Sequence, residues 1–124
     1  MITGLGADLI EVDRIGLRIA REAGFRELVF STHEIEYCES KGNPFEHYAA
    51  RFAAKEAFFK ALGTGWMADT PWNEIEIKND EAGKPEFCFL GGVQKVMGNI
   101  GIQKVLVSLS HLKTIASAVV VIEK

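Results

Sequence analysis

Cysteine is scarce in this sequence. Cys38 and Cys88 are the only two, and neither has a second Cys or a His at metal-ligand spacing. This argues against a disulfide-built secreted fold and against a zinc site, and leaves both thiols as core or half-buried side chains. Long apolar runs are also missing: the longest, around Val119 to Ile122, falls far short of the roughly 20 residues that span a bilayer. There is no basic excess either. The formal net charge is −3, which gives no reason to expect a nucleic-acid binder, so any basic surface must be local. No repeat, low-complexity tract or basic leader followed by an apolar stretch is visible, and a soluble, cytoplasmic protein is expected. What is present suits one core. At 124 residues, 48% apolar and 25% charged, the chain has the length and balance of a single globular domain over 1–124.

The period of the apolar residues organises the chain. Met1 to Ile10 is uncharged until Asp8 and predicts a buried strand, with Gly4, Gly6 and Asp8 on one side. Val12, Ile15 and Ile19 then recur at helical spacing, with Gly24 as the stop. Ser31 and Glu34 have capping-box spacing and predict a short helix from Thr32 to about Ser40. Asn43, Pro44 and Glu46 mark the start of a long central helix, Phe45 to Leu62, which ends at Gly63. A glycine-punctuated loop to Trp72 leads to strands at Ile75–Lys78 and Phe87–Leu90 around a turn at Asp80–Lys84. A weak helix over Gly92–Ile100 and a closing hairpin, Val105–Leu109 with Ile115–Ile122, complete an α+β domain: a small, mostly antiparallel sheet packed with one long helix.

Several polar residues stand where burial makes them informative. Asp8 interrupts an apolar strand, where an unpaired charge is expensive. The glycines beside it leave room for a helix, an ion or a ligand. Capping of the following helix is the competing reading, and the segment alone does not choose. Gly4-Leu5-Gly6 lacks the third glycine of a dinucleotide fingerprint. On the long helix, Glu56 projects from an arc shared with Ala49, Phe52 and Phe59, and Lys60 follows one turn later. On an exposed helix this would be an ordinary i, i+4 pair. A helix so rich in Phe and Ala predicts a poorly solvated one. Packing the first strand on this helix would bring two carboxylates together, and they repel unless a cation lies between them. Oxygen-only ligation suits magnesium, with Lys60 meeting a phosphate oxygen, so the set describes a pyrophosphate site. His111 near a turn and Gly63-Thr64-Gly65 after the helix are not specific by themselves. Arg14, Arg18 and Arg21, beside Leu17 and followed by Arg26, form a ridge on the first helix. The ridge is either a solvated face paired with Glu11 and Glu22 or a guide for an acidic partner.

Three runs together carry a resemblance: Gly4-Leu5-Gly6-Ala7-Asp8-Leu9-Ile10-Glu11-Val12-Asp13-Arg14, Arg51-Phe52-Ala53-Ala54-Lys55-Glu56-Ala57-Phe58-Phe59-Lys60-Ala61-Leu62-Gly63-Thr64-Gly65, and Ser108-Leu109-Ser110-His111. Across the whole chain they resemble the holo-[acyl-carrier-protein] synthase family of 4′-phosphopantetheinyl transferases. The resemblance implies transfer of the 4′-phosphopantetheine arm of coenzyme A to a serine of an acyl carrier protein, with release of adenosine 3′,5′-bisphosphate. It further implies that Asp8 and Glu56 are magnesium ligands, and that Lys60 faces the pyrophosphate. Arg51, Gly63, Thr64, Gly65, Ser110 and His111 match positions around the coenzyme's phosphates. The first helix, with Arg14, Leu17, Arg18, Arg21 and Arg26, matches the element that receives the carrier, and homotrimers with active sites at subunit boundaries are implied. Two departures stand out. Ile115 takes the place of a usual tyrosine, and the Lys41–Asn43 segment is short of basic residues. A non-catalytic module that binds coenzyme A or a nucleotide is the competing reading; it predicts partner function that survives Glu56→Gln or Lys60→Ala.

Overall fold

The computed structural model describes residues 1–65, 67 and 70–124. The first strand, β1 (Ile2–Glu11), is buried on one face only: Gly6 and Ile10 point inward, whereas Leu5 and Leu9 are 69% and 68% exposed. The buried strand expected over Met1 to Ile10 is therefore corrected to a half-buried one, because this single chain places a layer on just one side of it. α1 (Val12–Arg21) ends before Gly24, at Glu22, whose N–H bonds to the Arg18 carbonyl. Gly24, at φ 83°, opens instead a five-residue helix, α2 (Phe25–Val29), too short to leave a periodic signal. α3 (Thr32–Glu39) carries the expected capping box between Ser31 and Glu34.

The long helix, α4 (Pro44–Leu62), begins behind Asn43 and stops where Gly63 turns to φ 79°. Asn43 makes no side-chain cap; its amide donates to the Glu46 carboxylate. After a one-turn 3-10 helix at Trp72–Glu74, β2 (Ile75–Asn79) pairs antiparallel with β3 (Pro85–Phe89). Next come α5 (Gly91–Asn99), β4 (Lys104–His111) and β5 (Ile115–Glu123). β5 lies between β1 and β4, antiparallel to both.

α4 lies across the inner face of β1 and β5 and is buried along most of its length by Ala49, Ala50, Ala53, Ala54, Ala57 and Ala61 with Phe52, Phe58 and Phe59. Phe58 packs between Phe87 and Phe89 of the small hairpin, ring centroids 5.2 and 5.5 Å apart, a burial that stabilises by about 2–3 kcal/mol. The glycines of β1 set how closely helix and sheet approach. A Cβ on Gly6 would lie 2.0 Å from the Ala57 carbonyl oxygen, and one on Gly4 would lie 2.1 Å from that of Ala61. The space they clear is thus filled by a helix. Cys38 is buried, its thiol pushed up to about 12 by burial, and Cys88 is half-buried; both are free. Among the described residues no helix is long and apolar enough to cross a membrane.

Candidate active site

The Gly6–Ala57 contact determines what lies on either side of it. Asp8 is the next inward residue of β1, and Glu56 is the neighbour of Ala57 on α4, so close packing of strand on helix brings the two carboxylates to one pocket. That pocket, of about 260 Å³, is lined by Asp8, Leu9, Ile10, Arg14, Ile15, Arg18, Phe52 and Glu56. The Glu56 carboxyl is raised above its ordinary range, first by burial and then by the negative charge of Asp8; Lys60, Arg14 and Arg18 pull the other way. Two carboxylates facing shared space, with the Glu56 carboxyl raised in part by the charge of Asp8, could hold a cation between them.

Lys60 corrects one expectation. Its side chain is 54% exposed and reaches across to β1, donating to Asp8 Oδ1 and to the Ala7 carbonyl, each at 3.0 Å. The apolar composition of α4 predicts a poorly solvated Glu56–Lys60 pair; the lysine instead lies at the surface and pairs with Asp8, because strand and helix are close enough for a cross-element contact. Beyond Lys60, a cavity of about 390 Å³ is lined by Glu56, Phe59, Lys60, Gly63, Gly65 and Trp72. Thr64 stands exposed in the same turn, its hydroxyl donating to the Gly65 carbonyl at 3.2 Å. On the other side, an apolar cavity of about 410 Å³ is bounded by Arg18, Phe25, Leu28, Val29, Phe52, Pro71 and Trp72, again with Glu56 at its edge. Glu56 therefore stands where three cavities meet.

The arginine ridge divides. Arg14 and Arg18 lean into the carboxylate pocket, and Arg18 also pairs with Glu22 at 2.8 Å and lies over the Phe25 ring at 4.2 Å. Arg21 and Leu17 remain exposed. Arg26 is turned away into pairs with Glu27 and Glu39, at 2.8 and 3.4 Å. Glu11 sits at the N-cap of α1 without a side-chain cap.

A second cluster gathers elsewhere on α4. Arg51 precedes Glu56 by five residues, roughly 140° around the helix. It is 3% exposed, its guanidinium lies 4.1 Å over the Tyr37 ring, and its Nε has no hydrogen-bond partner among the described residues. His111 ends β4 on the inner face, Nδ1 3.0 Å from Glu46 Oε1 and its ring 5.0 Å from His47. Burial, then His111, Arg51 and Lys41, lower the pKa of His47. Ser110, opposite Ser117 in the β4–β5 register, points to the other face of the sheet, so it joins neither cluster. Ile115 is part of the same outward face, 39% exposed. Sequence reasoning missed Glu46 and His47, which become neighbours of His111 only through the packing of β4 on the first turn of α4. It also missed Trp72, whose only signal was an aromatic residue in a loop.

Such an arrangement defines a class: an α+β protein with a carboxylate pair and a lysine gathered where strand and helix meet, a set that could hold a cation. The model of the 4′-phosphopantetheinyl transferase superfamily matches residues 4–118, and the chain belongs to that superfamily. Among individual relatives, a holo-[acyl-carrier-protein] synthase of Cytophaga hutchinsonii is 49% identical, covering 100% of this chain and 99% of its own. The crystal structure of the holo-[acyl-carrier-protein] synthase of Neisseria meningitidis superposes with a TM-score of 0.91 at 36% identity, over 100% of both chains. That of Bacillus anthracis, solved in complex with CoA (3′,5′-ADP), gives 0.81 at 34% identity, covering 100% of this chain and 98% of that one.

Proposed function

We propose that this chain transfers 4′-phosphopantetheine from coenzyme A to a serine of an apo acyl carrier protein, as a holo-[acyl-carrier-protein] synthase. The serine Oγ bonds to the β-phosphorus of coenzyme A, the bond from that phosphorus to the bridging oxygen breaks, and adenosine 3′,5′-bisphosphate leaves. The observation that carries the reading is the meeting of Asp8, Glu56 and Lys60, with Glu56 lining both the carboxylate pocket and the cavity at the Gly63–Gly65 turn.

The donor set fits magnesium. Among the described residues no group of three or more His, Cys, Asp or Glu side chains converges on one point. Two carboxylates alone suit an ion that keeps several waters and completes its shell with phosphate oxygens. When bound, magnesium supplies neutralisation of the charge on the pyrophosphate. Asp8 and Glu56 would hold it. Lys60, already at the rim and more than half exposed, moves from Asp8 to a phosphate oxygen and stabilises the leaving group as a point charge. A water held at the Glu56 carboxylate receives the serine proton.

The carrier approaches over α1, where Arg21 and Leu17 offer a positive and an apolar contact, and Arg14 and Arg18 link that face to the carboxylate pocket. Arg51 and His111 await a phosphate of the coenzyme; the Arg51 Nε, without a partner among the described residues, supports this. The chain acts as one domain and assembles as a homotrimer through the outer sheet face, where Leu5, Leu9, Leu106, Ile115 and Val119 are exposed. The free thiols accord with a cytoplasmic location.

Incubation with coenzyme A, magnesium and apo carrier protein should add the mass of the arm to the carrier. Glu56→Gln and Lys60→Ala should each abolish turnover with the fold intact. No mass shift at high concentrations of the unaltered protein would overturn the reading.

A further inference from the structure

Lys55, the residue before Glu56, is fully buried, a position lysine avoids unless it is paired. Its ammonium donates to the Val29 carbonyl at 2.6 Å, to Glu34 Oε1 at 2.7 Å and to the Trp72 carbonyl at 2.8 Å. Three donors meet three acceptors, so the ammonium is saturated. Glu34, equally buried, also accepts from the Ser31 N–H at 2.9 Å and the Ile77 N–H at 3.0 Å. The end of α2, the start of α3, β2 and the turn before it are thus gathered on one group adjacent to a proposed metal ligand.

Stability alone does not account for this. A buried ion pair is often no more stabilising than apolar side chains of the same volume. The tether instead fixes a wall of the site. Trp72 stacks on Phe52, centroids 5.2 Å apart, and leans on Phe59 at 5.3 Å. Its indole lines both the apolar cavity and the glycine-edged cavity beside Glu56. Displacing residue 72 would reshape both at once.

We propose that Lys55 is a positioning residue of the transferase: by holding the Trp72 carbonyl it sets the indole that separates the two cavities at Glu56, and so fixes where the phosphate end of the coenzyme lies. The kinetic part rests on the transferase reading above; the structural part does not.

The test uses a Trp66→Phe background, so that Trp72 is the remaining one of the two tryptophans and its quenching by acrylamide reports the wall directly. Replacing the pair together, Glu34→Met with Lys55→Met, removes both buried charges and the tether. Acrylamide quenching should rise, and kcat/KM for coenzyme A should fall roughly 10- to 100-fold, at unchanged circular dichroism. Glu34→Gln keeps the Lys55–Trp72 bond, so it should lower the melting temperature yet hold quenching and kcat/KM within about two-fold of the parent. Trp72→Leu keeps the carbonyl bond and deletes the wall; it should reproduce the kinetic loss, which tests the wall independently of the double variant. A folded double variant with parental quenching or kinetics, a Trp72→Leu variant with parental kcat/KM, or a Glu34→Gln loss as large as that of the double variant would each overturn the proposal. If the parent modifies no carrier, the transferase reading fails separately, and quenching still decides the tether.

Discussion

Adding one methyl group at Gly6 tests the link between fold and site directly. A Cβ there would stand 2.0 Å from the Ala57 carbonyl oxygen and 2.7 Å from the Ala61 nitrogen, both backbone atoms, whereas ordinary contact begins near 3.4 Å. α4 must therefore withdraw from β1 by about the difference, 1.4 Å, because neither atom belongs to a side chain that can swing aside. Overpacking of this kind costs about 1–3 kcal/mol. The larger effect falls on chemistry, since the helix that withdraws carries Glu56 and the strand carries Asp8. A misplacement of about 1 Å costs roughly 100-fold in rate. Gly6→Ala should thus stay folded, melt at a lower temperature and lose about two orders of magnitude in carrier modification. Gly42→Ala, where a Cβ meets nothing within 4 Å, serves as the neutral control. Thermal unfolding and mass-resolved kinetics at saturating magnesium read both effects. A folded Gly6→Ala protein with parental turnover would refute the claim that the glycine contact sets the spacing of the carboxylates.

The remaining predictions concern charge and assembly. Arg21→Glu should weaken carrier binding, read as Kd, and leave coenzyme A affinity unchanged; Arg14→Glu or Arg18→Glu should also raise Glu56 further, because both arginines hold its carboxyl down, so a coenzyme defect in Arg21→Glu would refute the docking role. His47 titrates below its ordinary 6.5 in the folded chain. The unfolded chain therefore binds more protons in that window, and stability should fall as pH drops from 6.5 through the folded value, a slope that His47→Phe should flatten in urea titrations. For Glu56 the sign reverses. Its raised pKa favours the folded chain below the ordinary carboxylate range and loses that advantage as pH rises through the folded value, so stabilisation by added magnesium should grow over the same window. Leu9→Lys should dissociate the assembly in sedimentation runs; an unchanged sedimentation coefficient would exclude the outer sheet face as the interface.

Much of this arrangement was legible in the sequence, and what was not has specific physical causes. α4 was readable because Asn43-Pro44 and Gly63 punctuate it, and β4 because Val105, Val107 and Leu109 alternate. That same alternation places His111 inside and Ser110 outside, which separates two neighbours that the resemblance assigns together to the coenzyme's phosphates. The capping role of Glu34 was readable from its spacing to Ser31, but its second role as the partner of Lys55 spans 21 residues and arises only from packing. The pair of Lys60 with Asp8 likewise spans 52 residues, and it arises because the glycines that admit α4 to β1 bring Asp8 within reach of the lysine. α2, at five residues, offers too little chain for a 3.6-residue period to show.

The alternation of β1 ties assembly to chemistry. Its inner face carries Gly4, Gly6 and Asp8 against α4, while its outer face carries Leu5 and Leu9 to the surface. A one-residue slip of β1 against β5 would exchange the two faces, moving Asp8 away from Glu56 and the leucines into the helix. Register is thus enforced twice, by the close approach of α4 on one side and by the apolar contact proposed on the other. A subunit partner seated on Leu5 and Leu9 would press on the strand that bears Asp8, so loss of that partner should loosen the carboxylate pair even though no outward residue touches it. On this account Leu9→Lys lowers magnesium affinity together with oligomeric state, and addition of magnesium to the dissociated variant should partly restore assembly.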